Sequence, residues 1–173
     1  MELVGKEELY VPIVDLLAST NPSFEELVAL PVFGESRIGI LLDCLALLVH
    51  SGQVLPVIAS GPVDAAPSQR FNRMIVGHAR AGRIYRHLAS PLARTGIPVT
   101  DFGLLALAAV MDGKEDSAAA AGHAMSILNV LWQRPMRRGA LIADEDEART
   151  FLADQMKPIM HDYVPLWRRL GVL

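Results

Sequence analysis

The sequence contains a single cysteine, Cys44, in 173 residues, which excludes an internal disulfide and a cysteine-rich zinc site. Cys44 lies in an apolar helical run, an environment typical of an inert core thiol. Aromatic residues make up only 6% of the chain, so leucine, alanine, valine and isoleucine must form the core. Hydrophobic residues reach 51%, which excludes intrinsic disorder and indicates a globular protein.

Long apolar runs are also missing. The longest run, Ile38 to Val49, is interrupted by Asp43 and is too short to cross a bilayer. The first residues are rich in charge and lack the apolar segment of a signal peptide. We therefore expect a cytoplasmic protein without a membrane partner.

None of the common catalytic signatures occurs. The sequence has no GxGxxG, GxxxxGK[ST], GxSxG, HExxH or CxxC pattern, and no two of its five histidines lie three or four residues apart. We therefore expect no catalytic residues, no metal and no cofactor in this chain. A site that the fold assembles from distant residues stays open as an alternative.

Charge is unevenly distributed along the chain. Residues 1–64 carry two basic and nine acidic side chains, residues 65–100 carry six arginines and no acid, and residues 101–173 carry eight basic and ten acidic side chains. The isoelectric point is about 5.9. Because nucleic-acid-binding proteins usually present a broad basic face and a high isoelectric point, this balance argues against nucleic acid as a partner.

Periodicity in residues 1–64 predicts three helices followed by a strand. The first helix begins near Tyr10, the second begins with a capping box at Ser23, and the third begins at Ser36. The segment 53–59 then favours an extended conformation. This order is that of a winged-helix-like module.

In a winged-helix protein the third helix reads the major groove, which requires Arg, Lys, Asn or Gln along one face. Here Arg37 is its only cation, and nearly every other position is apolar. This composition indicates a helix that is buried or forms a protein interface. Nucleic-acid binding or transcriptional regulation is kept as the alternative function.

Residues 65–173 predict a helical module with a short β segment, sharing one core with the first module. Its first helix begins after Ser68 as N-cap and ends at Gly82. Alternation then predicts a strand over residues 83–90, and residues 97–99 form either its hairpin partner or a short extended lead-in to the next helix. The predicted fold class is α+β and mainly α. The apolar face predicted for the first helix of this module consists of Phe71, Met74, Ile75 and His78.

Helices account for the rest of this module. Thr100 or Asp101 caps one of them, and Ser117 begins another. Four carboxylates at residues 144–147 begin the last one, where the helix dipole favours negative charge. Trp132 and Trp167 fall near helix ends and are predicted to close the core against solvent.

The arginine-rich stretch, residues 65–100, is the one segment whose composition favours a binding function. Arginines clustered without acids suit an anionic ligand or an acidic protein surface. The alternative is that they dock this module onto the acidic residues 1–64, and both roles stay open. The candidate binding residues are Arg70, Asn72, Arg73, Arg80, Tyr85, Arg86 and His87.

Several segments carry a resemblance to a known family: RFN at residues 70–72, LASP at 88–91 and GIPVTDF at 96–102, with LYVPIVDLLA near the start and PLWRRLGV near the end. They resemble the regulatory domain that follows the catalytic domain in a group of bacterial S-adenosylmethionine-dependent methyltransferases, some of which are protein lysine methyltransferases. The resemblance covers nearly the whole chain. It implies a non-catalytic regulatory or substrate-recognition domain whose partner is a methyltransferase catalytic domain, in the same chain or separate, and it allows a protein substrate.

Overall fold

The computed structural model describes residues 6–58 and 61–173 and is mainly helical, with small antiparallel hairpins. The predicted class, α+β and mainly α, is confirmed. The chain divides into two compact units, Met1–Gly61 and Pro62–Leu173, and each contains its own cluster of buried apolar side chains. No helix among the described residues is long and apolar enough to cross a membrane.

Three α-helices make up the first unit. The second has the predicted capping box, in which the Ser23 hydroxyl accepts a hydrogen bond from the Glu26 amide and the Glu26 carboxylate accepts one from the Ser23 amide. The strand predicted next is absent from residues 53–58, and Ala59 lies outside the described residues. The helices are α1 (Glu7–Ser19), α2 (Phe24–Val28) and α3 (Ile38–His50), with a 3₁₀ turn at Glu35–Arg37 before α3.

Helix α3 buries only a narrow stripe of its apolar surface. Leu41, Cys44 and Leu48 lie one helical turn apart and are buried, so Cys44 is the predicted core thiol. The apolar side chains on its other faces are exposed, namely Ile40, Leu42, Leu47 and Val49.

The second unit contains five α-helices and two antiparallel hairpins. Helix α5 is buried on almost every side, because it packs against α4, α6 and α7. Alanines at the centres of α5 and α6 allow these two helices to approach closely. The elements are α4 (Ala66–Arg80), β1 (His87–Ser90), β2 (Thr95–Pro98), α5 (Asp101–Met111), α6 (Ser117–Val130), β3 (Met136–Arg137), β4 (Ala140–Leu141), α7 (Glu145–Pro158), a π-helical turn (Ile159–Tyr163) and α8 (Val164–Arg169).

Two predicted helix starts in this unit are confirmed by their caps. The Thr100 hydroxyl accepts from the Gly103 amide at 3.0 Å, and the Asp144 carboxylate accepts from the Glu147 amide at 2.7 Å. Helix α4 differs, because it begins two residues before Ser68. Its first amide, that of Ala66, donates instead to the Asp64 carboxylate at 2.9 Å.

The buried face of α4 is not the predicted one. Ile75 is buried, but Phe71 and Met74 are exposed, and the buried positions beside Ile75 include Asn72 and Val76. The physical reason is that Asn72 finds hydrogen-bond partners inside the unit, which makes burial of its polar side chain favourable.

The two tryptophans have opposite environments. Trp167 is 2% exposed, as predicted for a residue that closes the core. Trp132 is 96% exposed, so the same prediction is wrong for it. It occupies the left-handed position after α6 with φ 56°, and the Gln133 amide donates back to the Leu128 carbonyl. This motif ends α6 at Val130 and turns the indole away from the core.

Candidate functional site

The hairpin β1–β2 has a register that decides which backbone groups face outward. His87 lies opposite Pro98, and Ala89 lies opposite Gly96. Just before β1, the Arg86 carbonyl accepts from the Val99 amide at 3.0 Å, so odd-numbered positions of β1 are the non-hydrogen-bonded ones. The amide and carbonyl groups of His87 and Ala89 therefore point away from β2. The predicted strand over residues 83–90 is confirmed only for its second half, since β1 covers His87–Ser90.

Asn72 occupies the outer edge of β1 at Ala89. Its Oδ1 accepts from the Ala89 amide at 2.7 Å, and its Nδ2 donates to the Ala89 carbonyl at 2.9 Å. Nδ2 also donates to the Val172 carbonyl at 3.0 Å. The carboxamide thus satisfies both outward groups of Ala89 in the way that a neighbouring strand would. Because Asn72 is completely buried, this candidate binding residue lies inside the unit.

The last residues of the chain are also hydrogen-bonded close to Asn72. The Ser90 hydroxyl donates to the Leu170 carbonyl at 2.8 Å and accepts from the Ala93 amide at 3.1 Å. Gly171 has φ 69°, and a Cβ there would lie 2.9 Å from Pro91, so a side chain does not fit. The segments at residues 70–72 and 88–91 therefore meet the last residues of the chain in one hydrogen-bonded junction.

A groove of about 580 Å³ lies between α4 and β1. Phe71 and Ile75 line it from α4, and the chain from Tyr85 to Pro91 lines the other side. Phe71 and Tyr85 are 45% and 46% exposed, so both rings present apolar surface to solvent. The Tyr85 ring packs against the His78 ring in a tilted arrangement, with the two ring centroids 5.4 Å apart.

The charge of the groove is positive. Arg86 and Arg94 line it, and none of the described residues in its lining is a carboxylate. Arg86 lies 3.3 Å from Asp101, but its side chain is 69% exposed, so this ion pair is screened by water and weak. The site therefore combines aromatic surface with arginine side chains that remain accessible.

The structure brings three of the sequence-predicted candidates, Tyr85, Arg86 and His87, together in the groove. Arg70 and Arg73 lie exposed on α4, outside the groove lining, and form no ion pair within residues 62–173. The remaining two candidates, Asn72 and Arg80, hold elements of the unit together.

Sequence reasoning did not select Phe71 or Arg94, the exposed aromatic residue and the second arginine of the groove. Phe71 was assigned to the apolar face of its helix, and no local signal distinguishes an exposed from a buried phenylalanine there. Arg94 belongs to the arginine-rich stretch, and its position in the turn after β1 was the signal that could have found it.

A polar cluster joins α4, α5 and α6. Arg80 Nη2 lies 2.8 Å from Asp112 Oδ2 and donates to the Ala108 carbonyl at 3.2 Å. His123 Nε2 lies 3.2 Å from the same Asp112 oxygen, but among the described residues it has no hydrogen bond of good geometry. Burial lowers the pKa of His123, and nearby Arg80 and Lys114 lower it further, whereas Asp112 opposes the shift.

Comparison with known proteins found no matching family model, curated protein or solved structure. Within the described residues, no three His, Cys, Asp or Glu side chains are grouped as metal ligands would be. The groove is therefore the feature from which a function is inferred.

Proposed function

We propose that this chain is a non-catalytic regulatory or substrate-recognition domain of an S-adenosylmethionine-dependent methyltransferase, and that it binds an acidic protein segment in the groove between α4 and β1. The observation that carries this proposal is the composition of the groove, which presents exposed aromatic rings and arginines, with no acid among the described residues that line it. The methyl donor and the reacting groups would belong to the partner catalytic domain.

Protein recognition is supported by the kinds of side chain in the groove. Tyrosine and arginine are the residues that most often carry binding energy at protein interfaces, and phenylalanine is enriched there as well. Arg86 and Arg94 would attract carboxylates, and an acidic ligand meets no like charge among the residues of the lining that lie in 62–173.

A methyltransferase partner is supported by the resemblance described above. The segments at residues 70–72 and 88–91 form the junction around Asn72, and the segment at 96–102 supplies β2 and the cap of α5. Asn72, Ser90 and Thr100, which belong to the resembling segments, thus make hydrogen bonds that hold this unit together. We propose a bacterial, cytoplasmic protein on the same basis.

Exposed apolar residues on α3 support a contact with the catalytic domain. Ile40 and Leu47 lie on one face of α3 and are exposed, which suits a protein interface better than solvent. We keep the winged-helix-like arrangement of residues 1–64 as a proposal supported by its three helices. These side chains offer no hydrogen-bond donors to base edges, so we do not extend the proposal to nucleic acid.

Calorimetric titration tests the proposal. The chain is titrated separately with S-adenosylmethionine, with a 20-base-pair DNA duplex at low salt, and with the methyltransferase catalytic domain encoded in frame or in a neighbouring gene. We expect binding only of the catalytic domain. Micromolar binding of S-adenosylmethionine by this chain would contradict a non-catalytic role, and DNA binding that weakens steeply with salt would favour the nucleic-acid alternative.

A further inference from the structure

We infer that the acidic segment bound in the groove adopts a β-strand conformation and pairs with the outer edge of β1 through the backbone of His87. This inference rests on the proposed function and adds to it the conformation of the ligand and its main-chain contacts.

The first observation is the unequal pairing of the β1 edge. The outward amide and carbonyl of Ala89 are both bonded to Asn72, at 2.7 and 2.9 Å. The corresponding groups of His87, two residues earlier on the same edge, have no hydrogen-bond partner within residues 62–173. An unpaired strand edge is a template for a further strand, and peptides bind many domains by adding to such an edge.

The position of Asn72 also predicts where the added strand ends. Its carboxamide already takes the place of a neighbouring peptide group at Ala89, so a ligand strand cannot pair there without displacing it. The ligand therefore pairs at His87 and runs from there toward Tyr85, which is also in the groove lining.

The third observation concerns the side chains of the ligand. Successive side chains of a strand point to opposite faces, so alternate residues of the ligand face the same groove wall. Phe71 on α4 offers an exposed apolar surface, and Arg86, next to His87 in the chain, provides the charge for acidic residues. The ligand class is thus a short segment in which acidic and apolar residues alternate.

Peptide selection followed by backbone methylation tests this inference. A phage-displayed library of random octapeptides is selected on the folded chain, and the best binder is synthesised with each amide N-methylated in turn. We expect acidic peptides to be enriched. Methylation of the ligand amide that bonds to the His87 carbonyl should weaken binding about tenfold, while methylation of the amides on either side of it, which point away from β1, should have little effect.

The outcomes separate the inference from the proposed function. If no acidic peptide is enriched, the proposed function of the groove fails, and the inference fails with it. If acidic peptides bind but methylation weakens binding equally at every amide or at none, the groove binds protein segments and only the inferred strand pairing is wrong. If the chain alone forms a dimer that the peptide dissociates, the occupant of the edge is a second copy and the inference is overturned.

Two variants of one residue give an independent test. His87→Pro removes the backbone amide that faces outward, and His87→Ala removes only the imidazole. Because the His87 amide is not used in pairing with β2, the hairpin tolerates proline at this first strand position. We expect a loss of affinity of about tenfold for His87→Pro and less than threefold for His87→Ala. Equal losses of affinity for the two variants would show that the ligand contacts the imidazole and not the His87 backbone. If His87→Pro does not fold, the methylated peptides test the backbone contact instead.

Discussion

Arg80 Nη2 lies 2.8 Å from Asp112 Oδ2, which places an ion pair between the C-terminal ends of α4 and α5. The same guanidinium donates to the Ala108 carbonyl, so it also satisfies a backbone acceptor near the end of α5. Arg80 belongs to the arginine-rich stretch, yet its contacts are those of a residue that joins two helices.

Replacing Arg80 should therefore affect stability more than binding. We expect Arg80→Met, which keeps the apolar stem, to lower the free energy of unfolding by about 1 kcal/mol, since the lost ion pair is partly exposed. Peptide affinity in the groove should stay within a factor of two. Urea denaturation measures the stability, and calorimetry measures the affinity. If Arg80→Met loses affinity without losing stability, Arg80 is a binding residue and not a structural one.

His123 makes the stability of this cluster depend on pH. Burial lowers its pKa in the folded state below the unfolded value of about 6.5. As the pH falls below that value the unfolded chain takes up a proton that the folded chain resists, so stability decreases. The contribution is fully present above about pH 6.5 and is lost as the pH falls through the lower folded pKa.

Thermal melts measured from about pH 7.5 down to pH 5 test this prediction. We expect the melting temperature of the natural chain to fall over this range and that of His123→Gln to fall less. His50→Gln is the matched control, because His50 is exposed and forms no ion pair among the described residues, so its variant should follow the natural chain. An identical slope for His123→Gln would mean that another group carries the pH dependence.

The sequence predicted those features of the fold that depend on neighbouring residues. Helix starts at Ser23, Thr100 and Asp144 were correct because a cap is decided within three residues. The buried face of α4 could not be predicted. Asn72 is buried because it bonds to Ala89 and Val172, which lie 17 and 100 residues away along the chain.

The candidate site was predicted in part for the same reason. The composition of the arginine-rich stretch led to Tyr85, Arg86 and His87, which line the groove. The unpaired edge at His87 required the register of β1 with β2, which no single segment specifies. The burial of Trp132 was predicted wrongly because a tryptophan at the end of a helix can face either the core or solvent. The left-handed backbone conformation of Trp132, which turns the side chain outward, is not visible in the sequence.

Asn72 should be among the residues whose loss destabilises the second unit most. Asn72→Ala leaves the Ala89 amide, the Ala89 carbonyl and the Val172 carbonyl without their partner in a buried site. We expect a loss of about 3 kcal/mol in the free energy of unfolding, measured by urea denaturation. Ser68→Ala, two residues into α4, is the matched control and should cost less than about 0.5 kcal/mol. A small effect of Asn72→Ala would show that water replaces the carboxamide.

Arg73→Ala and Arg86→Ala should weaken binding more than they lower stability. Arg86 lines the groove and is largely exposed, and Arg73 is exposed on α4 without an ion pair in residues 62–173. Each loses a charge that attracts an acidic partner but no buried contact. We expect affinity for the selected acidic peptide to fall three- to tenfold for Arg86→Ala and less for Arg73→Ala, with melting temperatures within about 2 °C of the natural chain.

Arg149→Ala is the matched control for these two variants. It removes the same charge from α7, where Arg149 pairs with Glu145 at the surface. If all three variants weaken binding equally, the effect is one of net charge and not of the groove. If Arg73→Ala and Arg86→Ala instead lower the melting temperature while affinity is unchanged, the arginines serve to dock this module onto the acidic residues 1–64. Raising the salt concentration also distinguishes these two roles. If the arginines bind the acidic peptide, salt should weaken peptide binding; if they dock the module, salt should lower the melting temperature.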